Sequence, residues 1–323
     1  MSADNAAAPR HDAGTLAALA VGALAIGFAA PFFRAAEPID PLLASAVRLA
    51  LAALLLSPSI PRARARGKLS AHTLRWAAIA GVLYAIHFGT WVASLGMTSV
   101  AASVTLVTAT PLLLAVIGWL AGRDAPTPRL WLGLALAALG TLLIGGADAS
   151  GPREGALTGD LLALVGAVAM AAILLLVRRE KAHLEAVSFS AIAALSGALV
   201  LALVVVLRGS LTHDWPAAPS ASSLAWVAAT AVISQLVGHT ALTWALSHAS
   251  PTMVALATTT EPVIAALVTF VWMSEVPASL VIAGALVTLA GVVLGMSGPQ
   301  RAEASIDKPE ASIDTPEASR DQA

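Results

Sequence analysis

Residues 95–140 read LGMTSVAASVTLVTATPLLLAVIGWLAGRDAPTPRLWLGLALAALG, and residues 246–291 read LSHASPTMVALATTTEPVIAALVTFVWMSEVPASLVIAGALVTLAG. A shift of 151 positions, with no gap, lays one on the other. Leu95 then meets Leu246, Ser99 meets Ser250, Thr108 meets Thr259 and Pro111 meets Pro262. Further on, Asp124 meets Glu275, Pro126 meets Pro277, Gly133 meets Gly284 and Gly140 meets Gly291. Matches among Ala, Leu and Val carry little weight in so apolar a chain. Prolines and glycines carry more, because each is a backbone device that drift would scatter. The chain reads as two copies of one unit.

Composition says where that unit lives. Of the 323 residues 58% are hydrophobic and 11% are charged, and the mean hydropathy is +0.83. A soluble domain carries about 25% charged residues. So few charges, gathered in islands between long apolar runs, indicate a polytopic membrane protein. There is no cysteine, which excludes disulfides and thiolate metal sites. Residues 1–12 hold Asp4, Arg10 and Asp12 and do not form a cleaved signal.

A span needs roughly 20 apolar residues. On that rule the sequence predicts helices near 14–33, 41–57, 74–95, 100–120 and 129–146, and a second set near 158–178, 187–208, 224–246, 252–273 and 279–297. Proline and glycine signals divide them, at Pro38 and Pro41, Ser57–Pro61, Pro126 and Pro128, Gly151-Pro152, Pro216 and Pro219, Ser250-Pro251, and Pro277. The expected organisation is a cytoplasmic segment 1–13, a five-helix repeat 14–147, a second five-helix repeat 155–297 and a tail 298–323. The tail repeats Glu-Ala-Ser-Ile-Asp-x-Pro from Glu303 and Glu310, and Pro309 and Pro316 forbid a helix there. It reads as a disordered, dispensable cytoplasmic tail.

Lys and Arg are enriched in cytoplasmic loops. With the N-terminus inside, the inner segments hold Arg10; Arg62, Arg64, Arg66, Lys68 and Arg75; Arg123 and Arg129; Arg178, Arg179 and Lys181; and Arg301, Lys308 and Arg320. The outer ones hold Arg34, Arg153 and Arg208, fourteen against three, with Arg48 inside a helix. Five helices per repeat is odd, so the second repeat enters the bilayer inverted. The fold class is therefore all-α, with ten transmembrane helices in two inverted-topology repeats and both termini cytoplasmic. Such a doubled design suits alternate opening to either side.

These residues resemble the EamA-type members of the drug/metabolite transporter superfamily. That family has ten helices in two inverted repeats, with a mid-helix Pro in the fourth and ninth, an acidic residue at the helix end and then a Gly-x6-Gly helix. Pro111, Asp124 and Gly133/Gly140 match this, as do Pro262, Glu275 and Gly284/Gly291. Arg48 in Ala46-Val47-Arg48-Leu49 matches the family's second helix, and Glu261-Pro262 its ninth. Asp124 departs from the usual Glu. The resemblance covers roughly residues 14–297, and it implies an exporter of amino acids, other metabolites or drugs.

Polar groups at membrane depth mark candidate sites. On the third helix Tyr84, His87, Trp91 and Ser94 recur at steps that place them on one face, and on the eighth Gln235, His239 and Thr243 do the same. Under the 151 offset Gln235 is the partner of Tyr84. Thr105, Thr108 and Thr259 add hydroxyls from the fourth and ninth helices. Each also has a structural reading. Trp91, Trp119, Trp131, Trp244 and Trp272 lie towards helix ends and suit interface anchors. The threonines can bond back to their own helix, and His87 and His239 can either titrate or tie helices together. Arg48 could attract a carboxylate, and Glu261 could take a proton or an amine. The resemblance favours a structural or gating role for both. Pro111 and Pro262 supply bends for gating.

A lining of rings, amide and hydroxyls with few fixed charges suits a small amphipathic solute. The sequence therefore predicts a secondary transporter of the cell (inner) membrane, exporting amino acids foremost, aromatic and bulky apolar ones included. The alternative is a multidrug or lipophilic-cation exporter. A small-multidrug-type antiporter would want a carboxylate within the first helix, and Glu37 lies beyond its end. A membrane enzyme would need a nucleophile–base set or a metal cluster. The chain has no Gly-x-Ser-x-Gly, no His-Glu-x-x-His and no Asp-rich lipid-pyrophosphate motif, and no Walker A for ATP-driven pumping. No cofactor or metal is expected. The partners are a small-molecule substrate and the lipid bilayer, not nucleic acid, and a monomer is possible.

Overall fold

The computed structural model describes residues 12–98, 100–120, 127–147, 155–180, 185–273 and 276–297. The acidic pair Asp124 and Glu275 and the tail from Gly298 lie outside the described residues. Among the described residues every regular element is helical. In chain order these are α1 (Ala13–Ala36, broken at Phe28), α2 (Pro41–Leu56), α3 (Ala71–Leu95), α4 (Val100–Val107 and Thr110–Leu120) and α5 (Pro128–Ala147). The second series is α6 (Ala156–Glu180), α7 (Ala186–Thr212), α8 (Ala221–Ala245), α9 (Pro251–Thr258 and Glu261–Met273) and α10 (Ser279–Met296). Eight of these are long and apolar enough to cross a membrane, and α2 makes a ninth if it is counted with the short helix Ser59–Ala65, bent from it by 51°. The apolar core of α4, Ala102–Ile117, is shorter than a full span.

That short helix differs from the expected turn over Ser57–Pro61. Pro61 falls in the first turn of Ser59–Ala65, where its missing N–H removes no bond. Ser57 turns the chain between the two helices by donating its hydroxyl to the Leu54 carbonyl at 2.7 Å.

Proline also sets the other breaks. A proline cannot donate to the carbonyl four residues back, and its ring crowds that carbonyl. The first halves of α1, α4 and α9 end at Gly27, Val107 and Thr258, each four residues before Pro31, Pro111 and Pro262. At the α4 break Thr110 Oγ1 donates to Val107 O, the carbonyl Pro111 leaves without a partner, at 3.0 Å; at the α9 break Thr259 and Thr260 add hydroxyl donors to Leu256 O and Ala257 O at 2.7 and 2.8 Å.

The most extensive helix–helix contact joins α5 and α10, the equivalent helices of the two repeats. It is made by the repeated glycines. A Cβ on Gly133 would stand 2.6 Å from Gly295 Cα and 2.7 Å from Gly291 O; one on Gly284 would stand 2.6 Å from Gly140 O, and one on Gly291 2.6 Å from Gly133 O. Gly133 therefore lies beside Gly291, and Gly140 beside Gly284. Because 133 and 140 correspond to 284 and 291, exchanging the repeats maps one contact onto the other. The two helices run antiparallel, as inverted repeats require.

The repeats differ at one place that a gapless 151 offset hides. Ser70 caps α3 by accepting from Thr73 N, and Ser220 caps α8 by accepting from Ser223 N. These caps, with Leu74 and Leu224 and with Trp76 and Trp226, stand 150 positions apart. At Leu95 and Leu246 the offset is 151. The extra residue is absorbed in α8 by a π-helical stretch, Ala231–His239, where the bonds run to the fifth residue. The partner of Tyr84 thus falls where the register changes, between Ser234 and Gln235.

Candidate functional site

A cavity of about 50 Å³ lies where α1, α2, α3, α4, α6, α8 and α9 converge. One water needs at least about 10–15 Å³, so this space holds a few waters and must widen for a larger solute. Its wall includes Tyr84, His87, Trp91, Thr108, His239 and Thr243, which the sequence reading places along the pathway, and also Arg48 and Glu261, to which it gives a structural or gating role. Thr105, Gln235 and Thr259 lie off the wall. Thr105 Oγ1 donates to the Thr141 carbonyl at 3.1 Å and ties α4 to α5, and Thr259 bonds within its own helix. Gln235 is buried, and its Oε1 has no hydrogen-bond partner among the described residues.

Aromatic packing fixes most of the wall. Tyr84 stacks on Phe88 with centroids 5.6 Å apart, and the His239 ring meets both edge-on at 5.8 and 5.3 Å. His87 lies parallel to Trp91 at 6.2 Å. Its Nδ1 donates to Gly166 O on α6 at 2.8 Å. A carbonyl can only accept, so Nδ1 carries a proton, and in the neutral ring Nε2 is left as an acceptor. Thr108 turns its hydroxyl back to Val104 O at 2.8 Å and Thr243 to His239 O at 2.8 Å. Trp91 is buried, whereas Trp119, Trp244 and Trp272 are exposed on the outer surface.

Two opposite charges complete the wall. Arg48 is fully buried on α2, its guanidinium carbon 4.1 Å from the Phe88 ring centroid and 5.6 Å from that of Phe33. Glu261 opens the second half of α9, where a helix N-terminus favours negative charge. Sequence reasoning missed Phe33, Phe88, the Pro31 break and the apolar wall from α6 (Met170, Ile173, Leu174 and Val177). Pro31 could have been found by the rule that finds Pro111 and Pro262. The α6 residues carry no signal that separates a cavity wall from lipid-facing bulk.

Inverted helical repeats closing on a buried cavity that holds both charges and several rings define a polytopic membrane transporter of small molecules. The chain belongs to the EamA-like transporter family, whose profile matches it twice, over residues 13–146 and 157–296. A protein of known crystal structure is similar in fold, with a TM-score of 0.71 over 88% of this chain and 98% of its own, at 17% sequence identity. No curated protein matches the sequence.

Proposed function

We propose that the protein exports small amphipathic metabolites, amino acids foremost, across the cytoplasmic (inner) membrane by alternating access. The observation that carries this reading is the cavity itself: its wall joins residues of both repeats and sets stacked rings beside one positive and one negative group. Rings suit an apolar side chain, aromatic or bulky aliphatic. Hydroxyls and the two charges suit a polar head. The breaks at Pro111 and Pro262 let the inner and outer halves of α4 and α9 tilt separately, and the two repeats, 14–147 and 155–297, rock about the shared site. A lipophilic cation is served less well, because Arg48 repels it from the same wall.

The test is uptake of labelled amino acids into liposomes holding the purified protein, with Tyr84→Ala and Gln235→Ala in parallel. Saturable flux is expected in the parent. Tyr84→Ala should abolish it, since it opens the ring stack, while Gln235→Ala, off the wall, should weaken it less. Absence of flux for every amino acid, with or without a pH gradient, would sink the reading.

A further inference from the structure

Arg48 has five N–H donors, and none of them finds an acceptor among the described residues. Its Nε, Nη1 and Nη2 are all buried and have no hydrogen-bond partner among the described residues. The Phe88 and Phe33 rings hold the guanidinium by their faces. Such contacts are worth about 0.5–2 kcal/mol each, far less than the several kcal/mol that taking one ion out of water costs. An arginine kept for architecture would be tied by hydrogen bonds to a neighbouring helix. Arg48 is instead positioned by rings, with its donors idle, in the wall of the cavity. A second donor of this kind stands in the same wall: Trp91 Nε1 is buried without an acceptor among the described residues. Trp91 packs edge-on against the same Phe33 at 6.0 Å. Two unsatisfied donors around one cavity call for an acceptor, and the guanidinium fork matches a carboxylate in two-point geometry.

Glu261 supplies the opposite pole. It lines the cavity on α9, and no hydrogen bond joins it to Arg48. The two charges share the cavity wall, and neither satisfies the other's hydrogen-bonding capacity there.

We infer that Arg48 is the receptor for the carboxylate of the transported solute, with Trp91 Nε1 beside it, and that Glu261 receives its cationic pole, so that the site selects zwitterions. This rests on the transport reading above and assigns its selectivity to two residues. The cavity must widen for the solute to enter, so the site forms fully as the halves part.

The experiment compares three probes that differ only in their charged groups: L-phenylalanine, phenethylamine, which lacks the carboxylate, and 3-phenylpropanoate, which lacks the ammonium. Full-length protein in liposomes is assayed for flux of each and for competition between them, with Arg48→Met, Arg48→Lys and Glu261→Gln. A site built around a charged partner rejects an analogue that leaves that partner unpaired, so each one-charge analogue should compete at least about 10-fold more weakly than phenylalanine. Arg48→Met should remove phenylalanine flux and leave phenethylamine flux at its level in the parent. Arg48→Lys, which keeps charge but not the fork, should raise KM for phenylalanine with little change in kcat, and it carries the test if the Met variant does not fold. Glu261→Gln should bring 3-phenylpropanoate level with phenylalanine. Phenylalanine flux with both analogues competing equally well, or with an unchanged KM in Arg48→Lys, would overturn this assignment while the transport reading stands. Absence of flux for every zwitterion in the parent would overturn that reading, and this assignment with it.

Discussion

Asp40 shows how one side chain can serve two elements. Its Oδ1 accepts from Leu42 N and Leu43 N at 3.0 and 2.9 Å, closing the open start of α2. Its Oδ2 accepts from Arg208 Nη2 at 2.7 Å, near the end of α7. An N-cap is worth about 1 kcal/mol, and a partly exposed ion pair up to about 1. Asp40→Ala should therefore lower stability by about 2 kcal/mol, and Asp40→Asn, which keeps a capping oxygen, by about half that. Thermal unfolding in detergent checks both, and equal losses would remove the cap from the account. At this scale the sequence was legible where chemistry is scarce. In an apolar helix a Tyr, a His or an Arg stands out, and Arg48, Tyr84, His87 and His239 do share one cavity. Threonine was ambiguous, because the same hydroxyl can face a cavity or repair a broken turn, and Thr105 and Thr259 bond to backbone carbonyls.

Among the elements, the α5–α10 pair depends on glycine for contact and not for flexibility. Each Cβ added at Gly133 or Gly284 meets backbone of the opposite helix, which cannot rotate away. Gly284→Ala should cost about 1–3 kcal/mol by overpacking. Gly146, on the same α5, has nothing within 4 Å of an added Cβ, so Gly146→Ala should be neutral or stabilising, by up to about 1 kcal/mol. Equal losses at the two sites would refute the contact. The π stretch of α8 makes a second prediction. A helix that already carries one residue too many can lose one and keep its ends in register. Deletion of Val237 should leave a folded protein, whereas deletion of Ile86 from the regular α3 would turn the rest of that helix by about 100° and should unfold it. Chromatography and thermal unfolding of the two deletions check this. The offset change behind it was present in Ser70–Trp76 against Ser220–Trp226. It escaped notice because the gapless match further along spans the prolines and glycines that anchor the alignment.

For the whole molecule the repeat reading carried most of the fold. The paired prolines placed the breaks of α4 and α9, and apolar run lengths placed the helices to within a few residues; the α5–α10 contact was not read from the paired glycines. The cavity's closure was not legible, because no residue type reports how far apart two helices stand. The orientation in the membrane that the Lys and Arg distribution proposes has a direct test. The chain has no cysteine, so a single introduced thiol reports without background. In intact cells an impermeant maleimide should label Thr212→Cys and spare Arg64→Cys. The opposite pattern would reverse the proposed cytoplasmic placement of both termini.

The one additional residue in α8 also bears on energy. Were the halves identical, exchanging their conformations would convert one end state into the other, and the two would be degenerate. The insertion lifts that degeneracy. On the alternating-access mechanism proposed above, the empty protein then spends unequal time facing the two compartments, and α8 is one source of that bias.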